Sequence, residues 1–280
     1  MTYRMLCNRL LQAGIENAEW DARLLAEHFC RVDSSLFLLD PDHEIECSDA
    51  LLQAIELRAS RYPLQYILGE WEFYRQTYEV SPDCLIPRSD TEILVEEAIK
   101  RLPPSSRFAD LCTGSGCIAI SVLAERPDTE AYAVEKYERT LALATRNAVK
   151  NAVRDRFSPI CADVLCLDPA SLGIDRLDAV LCNPPYIPTS VLKDLAPELD
   201  AEPRVALDGG EDGLIFYETL ISRADLWLKP SGFFLFEIGY DQAESLRQIG
   251  IRYGFDGYQC IRDLGGNNRV IRLWRTHGIH

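Results

Sequence analysis

Asn183-Pro184-Pro185-Tyr186, followed by Ile187-Pro188, stands at the end of an apolar strand candidate, Asp178–Cys182. Every member has a use if the task is to hold a planar nitrogen, an amide or an exocyclic amine. The lone pair of such a nitrogen is delocalised, which makes it a poor nucleophile. It needs both N–H bonds held by acceptors while the lone pair is aimed at an electrophilic methyl group. Asn183 Oδ1 can accept one N–H and the Pro184 carbonyl the other. Pro184 pushes Asn183 to an extended backbone, the prolines fix φ, and neither offers a competing N–H. Tyr186 can stack on the planar group. That is catalysis by positioning and electrostatics. Hydride transfer has no use for the arrangement, and a plain proline-rich loop exit leaves the four residue types unexplained.

A second constellation is Asp110-Leu111-Cys112-Thr113-Gly114-Ser115-Gly116-Cys117, between a strand candidate and a helix. Glycines there let backbone approach a ligand and let the helix start tightly against a sheet. Glu135 follows about 20 residues later, at the end of the next strand, where an acid can accept hydrogen bonds from both hydroxyls of a ribose. Asp163 and Val164, after a third strand, sit where an adenine ring would lie. Taken alone the turn stays ambiguous: Gly114-Ser115-Gly116-Cys117-Ile118-Ala119 also fits the dinucleotide pattern G-x-G-x-x-A, and a simple strand-to-helix turn needs no ligand.

These residues must be held by a scaffold. Strand candidates are Phe108–Cys112, Ala131–Val134, Phe157–Cys161, Asp178–Cys182, Phe233–Ile238, Tyr258–Asp263 and Arg269–Trp274, with helical stretches after Gly116 and over Tyr137–Ala152, Leu214–Leu228 and Asp241–Tyr253. The first four alternate with helices or short crossovers, as in a parallel, doubly wound sheet. Gly265-Gly266-Asn267-Asn268 between the last two suits a hairpin. A parallel sheet finished by an antiparallel hairpin is the class I methyltransferase topology. Asn17 reads as the N-cap of a helix with the stripe Ala22, Leu25, Ala26, Phe29, and Glu19 and Asp21 in its first turn favour the helix dipole. Another helix starts near Ser48, carries Leu52, Ile55, Ala59 and Tyr62, and stops at Pro63. Gly69–Pro82, aromatic and β-branched, reads as a β-hairpin whose turn near Arg75-Gln76 lacks the usual Gly or Asn. The expected organisation is a helical substrate-docking domain over 1–66, a β-hairpin linker over 67–88 and an α/β domain over 89–280.

The chain has 280 residues, with 29 Lys plus Arg against 44 Asp plus Glu, a net charge of −15. The sequence pI is about 4.7. Binding to long nucleic acids draws most of its affinity from a basic face, so this balance points away from them and toward a cationic ligand or a basic partner protein. No apolar stretch approaches the ~20 residues that cross a bilayer. The N-terminus is interrupted by charges too early for a signal-peptide core, so the expected location is the cytoplasm. The ten cysteines are scattered without a Cys-x-x-Cys, and two of the four histidines, His277 and His280, lie in the tail. Free cysteines packed as small hydrophobes are expected, with neither a metal site nor a disulfide framework.

From about Arg61 onward the chain resembles the HemK-type release-factor glutamine methyltransferases. Four blocks carry the likeness: Arg61–Gly69, Leu85–Glu92, the Asp110–Gly116 turn together with Asn183–Tyr186, and Glu202–Leu214. The Asn-Pro-Pro-Tyr block is shared with DNA amino-methyltransferases, whereas the other three point to the glutamine enzymes. The resemblance implies S-adenosylmethionine as methyl donor, with class 1 peptide chain release factors as partners. The acceptor would be the glutamine of their Gly-Gly-Gln loop, so that methylation tunes translation termination. It implies cofactor contacts from Cys112, Thr113, Gly114, Ser115, Gly116, Glu135, Val164 and Asn183. It implies substrate contacts from Asn183, Pro184, Pro185 and Tyr186, with Asn183, Pro184 and Tyr186 catalytic. Departures from the pattern are Cys112, where many members have Gly, and Val164, where some have an aromatic. The long segment Ile187–Gly213, with Glu198, Asp200, Glu202 and Asp208, reads either as a solvated acidic loop or as a docking surface for a basic release factor. The alternative reading is a DNA or RNA exocyclic-amine methyltransferase acting on a flipped base; the net charge and the lack of a target-reading module weigh against it. A non-catalytic binding protein on the same fold would not need the intact Asn183–Tyr186 block.

Overall fold

The computed structural model describes residues 1–31, 35–195 and 197–276, so His277 and His280 lie outside the described residues. The chain forms two compact units, one of Met1–Glu70 with Ala196–Ala201, the other of Trp71–Leu195 with Glu202–His280.

The first unit is helical: Tyr3–Gln12, Ala18–Cys30, Ser35–Leu39, Asp49–Ala59 and Leu64–Leu68. Side-chain oxygens of Thr2 and Ser48 cap the first and fourth by accepting the N–H of Met5 and Leu51. Asn17 precedes the second helix, but its side chain makes no cap hydrogen bond. Ala22, Leu25 and Ala26 are buried as their spacing predicts. In Asp49–Ala59 the buried face is Leu51, Ala54 and Ile55, while Leu52, expected inside, is exposed. Both stripes contain Ile55, and packing against neighbouring helices selects between them. Asp21 is also turned inward, accepting from Arg58 Nε at 2.6 Å. An ion pair so withdrawn from water would strand one charge if the other were lost. Arg61 donates to the Gly14 carbonyl at 2.9 Å and to Glu198 Oε1 at 3.1 Å. The helix Leu64–Leu68 runs across the expected boundary at residue 66 and ends at Gly69, whose φ is 73°.

From Trp71 the second unit opens in a hairpin, β1 (Glu70–Phe73), whose first residue still belongs to the first unit, and β2 (Gln76–Glu79). Its turn has no glycine, yet Tyr74 and Arg75 both take positive φ, 42° and 68°. A two-residue hairpin turn of this hand matches strand twist, which explains why the strained conformation is tolerated. Glu92 Oε1 accepts the Tyr74 N–H at 3.0 Å and helps to hold it.

Seven strands form the main sheet: β3 (Arg107–Leu111), β4 (Glu130–Glu135), β5 (Phe157–Cys161), β6 (Leu177–Cys182), β7 (Leu228–Glu237), β8 (Gly257–Arg262) and β9 (Asn268–Trp274). Their order is β5-β4-β3-β6-β7-β9-β8. The first five are parallel, and β9 inserts antiparallel between β7 and β8. This is the class I methyltransferase sheet. All seven strands fall where the sequence places them, except that β7 begins at Leu228 rather than Phe233. The helical stretch expected over Leu214–Leu228 forms as Ile215–Ser222 and Ala224–Trp227, and Leu228 already pairs with Leu177 ahead of a register shift in β6. Apolar side chains fill both faces, with the helix Cys117–Glu125 in one core and Tyr217, Leu220 and Trp227 in the other. Strand order reverses between β3 and β6, and the crevice beyond the carboxyl ends of strands at such a point is where open α/β sheets bind ligands. Among the described residues no helix is long and apolar enough to cross a membrane.

Candidate active site

A cavity of about 420 Å³ opens at that switch point. Its size is within the range of small-molecule sites. Cys112, Thr113, Gly114 and Ser115 from the turn after β3 line it, with Glu135 from the end of β4, Val164 after β5, and Asn183 and Pro185 after β6. Gly116, Pro184 and Tyr186 do not line it.

The turn is built from left-handed backbone: Cys112, Gly114 and Gly116 have φ of 59°, 58° and 82°. Cys112 therefore occupies a conformation that favours glycine. Gly116 admits no side chain without movement, since a Cβ there would come 2.8 Å from Ile120 Cδ1. Asp110 is fully buried beneath the turn, where its Oδ2 accepts from Thr113 Oγ1 at 2.6 Å and from the Ala119 N–H at 3.1 Å. It thus pins the turn to the first turn of the following helix, whose dipole favours an anion there. Burial pushes the Asp110 carboxyl up to about 7, against the pull of those two donors.

Glu135 is nearly buried and is held by backbone alone. Its Oε1 accepts the N–H groups of Lys136 and Tyr137, at 2.9 and 3.1 Å, and its Oε2 that of Gly114, at 3.1 Å. Burial raises its pKa, and the three N–H donors oppose that rise. No cationic side chain pairs with it among the described residues, so it retains lone pairs for a ligand with hydroxyls. Val164 is buried on the wall beside Ala162 and Leu165. Asp163, next to it, turns to Lys136 at 2.9 Å. Burial works against its ionisation, but the ammonium and the Leu165 N–H outweigh it and hold its pKa below the usual carboxylate range.

On the other side of the cavity Asn183 is half-buried and donates from Nδ2 to Thr91 Oγ1 at 3.3 Å. Its Oδ1 accepts no hydrogen bond among the described residues. Tyr186 packs against the core below, and its hydroxyl lies 3.5 Å from Glu237 Oε1. The Glu202–Leu214 block runs against this segment. Ile187 N–H donates to the Leu207 carbonyl and Gly209 N–H to that of Ile187, at 3.0 and 2.8 Å. Gln242 donates to the Tyr186 carbonyl at 3.0 Å. Glu202 is not solvated: it is buried, accepts the Ile86 N–H at 3.1 Å and pairs with Arg88. Two of the quoted blocks, Leu85–Glu92 and Glu202–Leu214, therefore meet through one carboxylate beside the cavity. Thr91, Glu237 and Gln242 escaped the residue-by-residue reading, and Glu202 entered it only as one acid of the Ile187–Gly213 segment. Their partners are distant in sequence, and only the two blocks containing Thr91 and Glu202 gave a signal.

A Gly-turn over a buried acid, an unpaired acid at the end of the next strand, and Asn-Pro-Pro-Tyr beyond the switch point define a class I methyltransferase. The description "PrmC N-terminal domain" matches residues 3–69, and "Methyltransferase small domain" matches residues 89–215. A release factor glutamine methyltransferase of Geobacter sulfurreducens is 37% identical over 94% of this chain and 91% of its own. One of Caulobacter vibrioides is 36% identical over 94% and 92%. A solved release-factor-specific protein-(glutamine-N5) methyltransferase from Alicyclobacillus acidocaldarius is 31% identical, covering 71% of this chain and 99% of its own with a TM-score of 0.43. The chain belongs to the release factor glutamine methyltransferase family.

Proposed function

We propose that the protein uses S-adenosylmethionine to methylate the side-chain amide nitrogen of the glutamine in the Gly-Gly-Gln motif of class 1 peptide chain release factors. The observation that carries this reading is the placement of Asn183. It lines the cavity, its Nδ2 is committed to Thr91, and its Oδ1 is left as an acceptor beside the end of β6.

The donor set fits the cofactor. Glu135 would take the ribose hydroxyls, the Cys112–Gly116 turn would approach it through backbone, and Val164 would flank the adenine. When bound, the cofactor supplies an electrophilic methyl group. Asn183 Oδ1 and the Pro184 carbonyl accept the two N–H bonds of the glutamine amide and turn its lone pair outward. The prolines keep that carbonyl fixed, and Tyr186, tethered toward Glu237, backs the segment. Nothing in this arrangement requires covalent attachment to the protein; the rate gain comes from orientation.

Purified protein, labelled S-adenosylmethionine and a purified release factor test the reading directly. Label is expected on the motif glutamine; label on another residue, or on nucleic acid instead, overturns it. The intact factor should also be methylated with a kcat/KM far above that of a short Gly-Gly-Gln peptide. One amide pocket cannot distinguish one glutamine from another. With a chain of net charge −15, docking of a basic factor should slow with added salt, the Debye length being only ~8 Å at physiological ionic strength. Equal efficiency on peptide and factor at low and high salt would remove the docking part.

Glu135→Ala should weaken cofactor binding by roughly 10- to 100-fold, about the worth of one hydrogen bond to a charged group. It should spare turnover at saturating cofactor, because the ribose contacts are shared by ground and transition states. Calorimetry showing unchanged affinity would take Glu135 out of the site.

A further inference from the structure

Sheet register brings a buried carboxylate next to the acceptor site. Cys182 of β6 pairs with Phe236 of β7, so the residues that follow them, Asn183 just beyond β6 and Glu237 at the end of β7, are neighbours at the sheet's edge. Between them stands Thr91, almost fully buried at the end of the short 3-10 turn Ser89–Thr91.

The hydrogen-bond count at these three residues is restrictive. A threonine hydroxyl has one proton and two lone pairs, and a side-chain amide donates from one arm and accepts on the other. Thr91 Oγ1 accepts from Asn183 Nδ2. Its own proton has no acceptor at full hydrogen-bond geometry among the described residues, and the group it interacts with is the Glu237 carboxyl. Glu237 Oε2 is buried without a hydrogen-bond partner, while Oε1 faces the Tyr186 hydroxyl. A donor lacking an acceptor thus adjoins an acceptor lacking a donor. Burial pushes the Glu237 carboxyl up to about 7, Asp90 adds to that rise, and the Thr91 hydroxyl, Arg269 and Tyr186 favour the ionised form.

We infer that Thr91 and Glu237 are positioning residues for the methyl acceptor: Glu237 accepts a hydrogen bond from the Thr91 hydroxyl, Thr91 Oγ1 can then only accept from Asn183, and Asn183 Oδ1 is thereby locked toward the incoming amide. The inference rests on the proposed glutamine chemistry. Its consequence is specific. An Asn183 amide turned over would present Nδ2 to the glutamine NH₂, donor against donor, and would instead suit a carboxylate. Glu237→Gln permits that inversion, because a Gln Nε2 can donate to Thr91 and free the hydroxyl proton for Asn183 Oδ1.

The test compares wild type with Glu237→Gln, Thr91→Val and Thr91→Ser, each checked for folding by circular dichroism and for cofactor affinity by calorimetry. Methylation of release factor by wild type comes first; if it is absent, the functional reading fails before the inference is reached. Given wild-type activity, Glu237→Gln and Thr91→Val should lower kcat by about tenfold, as for one hydrogen bond. Cofactor affinity should stay unchanged, and Thr91→Ser should restore kcat. A release factor with glutamate in place of the motif glutamine should inhibit Glu237→Gln about tenfold more tightly than wild type, a change that a merely structural role would not produce. Unchanged kcat in Glu237→Gln, a Thr91→Ser variant as slow as Thr91→Val, or unchanged inhibition by the glutamate factor overturns the inference. If Thr91→Val fails to fold, the Glu237→Gln and Thr91→Ser results decide alone.

Discussion

Asn183→Ala is expected to slow methyl transfer by roughly 10²–10³-fold, the cost of removing one preorganised hydrogen-bond partner of a reacting group, about 2.7–4 kcal/mol. The fold should survive. Asn183 is half-buried and its side chain makes one hydrogen bond within the protein among the described residues, 3.3 Å long, so truncation leaves little unsatisfied behind it. The loss should appear in the chemical step, because the acceptor matters most when the amide lone pair is being drawn toward the methyl group. Pro184 still offers its carbonyl, which fixes one N–H and accounts for residual activity. Single-turnover measurement at saturating cofactor and release factor separates this from binding. A rate within about tenfold of wild type would show that the Asn183 oxygen does not hold the amide.

The sheet was legible because its strands are buried runs with period-breaking residues between them, and Gly265–Asn268 marks the hairpin. Local signals failed where tertiary packing chooses between two acceptable patterns. Leu51 and Leu52 are both apolar, and only the packed helix shows that Leu51 is inside. The Tyr74-Arg75 turn gives no glycine signal since its strain is offset by strand twist and by Glu92. At the site, Cys112–Ser115, Glu135, Val164, Asn183 and Pro185 could be read because each lies at the carboxyl end of a strand, where the chain order alone places them around one crevice. Glu202 could not: an acid in an acidic segment reads as solvated, and only the long-range bonds to Ile86 and Arg88 show it turned inward. The same holds for Thr91, Glu237 and Gln242, ordinary residues whose importance comes from what is packed against them.

Gly213→Ala should combine a large loss of stability with a loss of activity. Gly213 has φ of 75°, and a Cβ built there would lie 2.3 Å from the Tyr186 carbonyl oxygen and 2.8 Å from Gln242 Nε2. The first contact is with backbone, which cannot swing away as a side chain can. Gln242 Nε2 donates to that same Tyr186 carbonyl, at 3.0 Å, and to the Gly213 carbonyl at 3.3 Å. The added methyl group therefore wedges into the bond that holds Tyr186 in place, and any relief displaces the segment carrying Asn183 and Pro184. The left-handed backbone costs a β-carbon about 1–2 kcal/mol, and forced overpacking about 1–3 more. Gly173→Ala is the control. Its φ is 70°, nearly the same, but a Cβ there meets nothing within 4 Å. It should lose only the backbone part, about 1–2 kcal/mol, and keep full activity. Urea unfolding of the two variants gives the difference in stability, and single-turnover methylation gives the difference in function. If Gly213→Ala proves as stable and as active as Gly173→Ala, the close packing of the Glu202–Leu214 block against Tyr186 does not position the site.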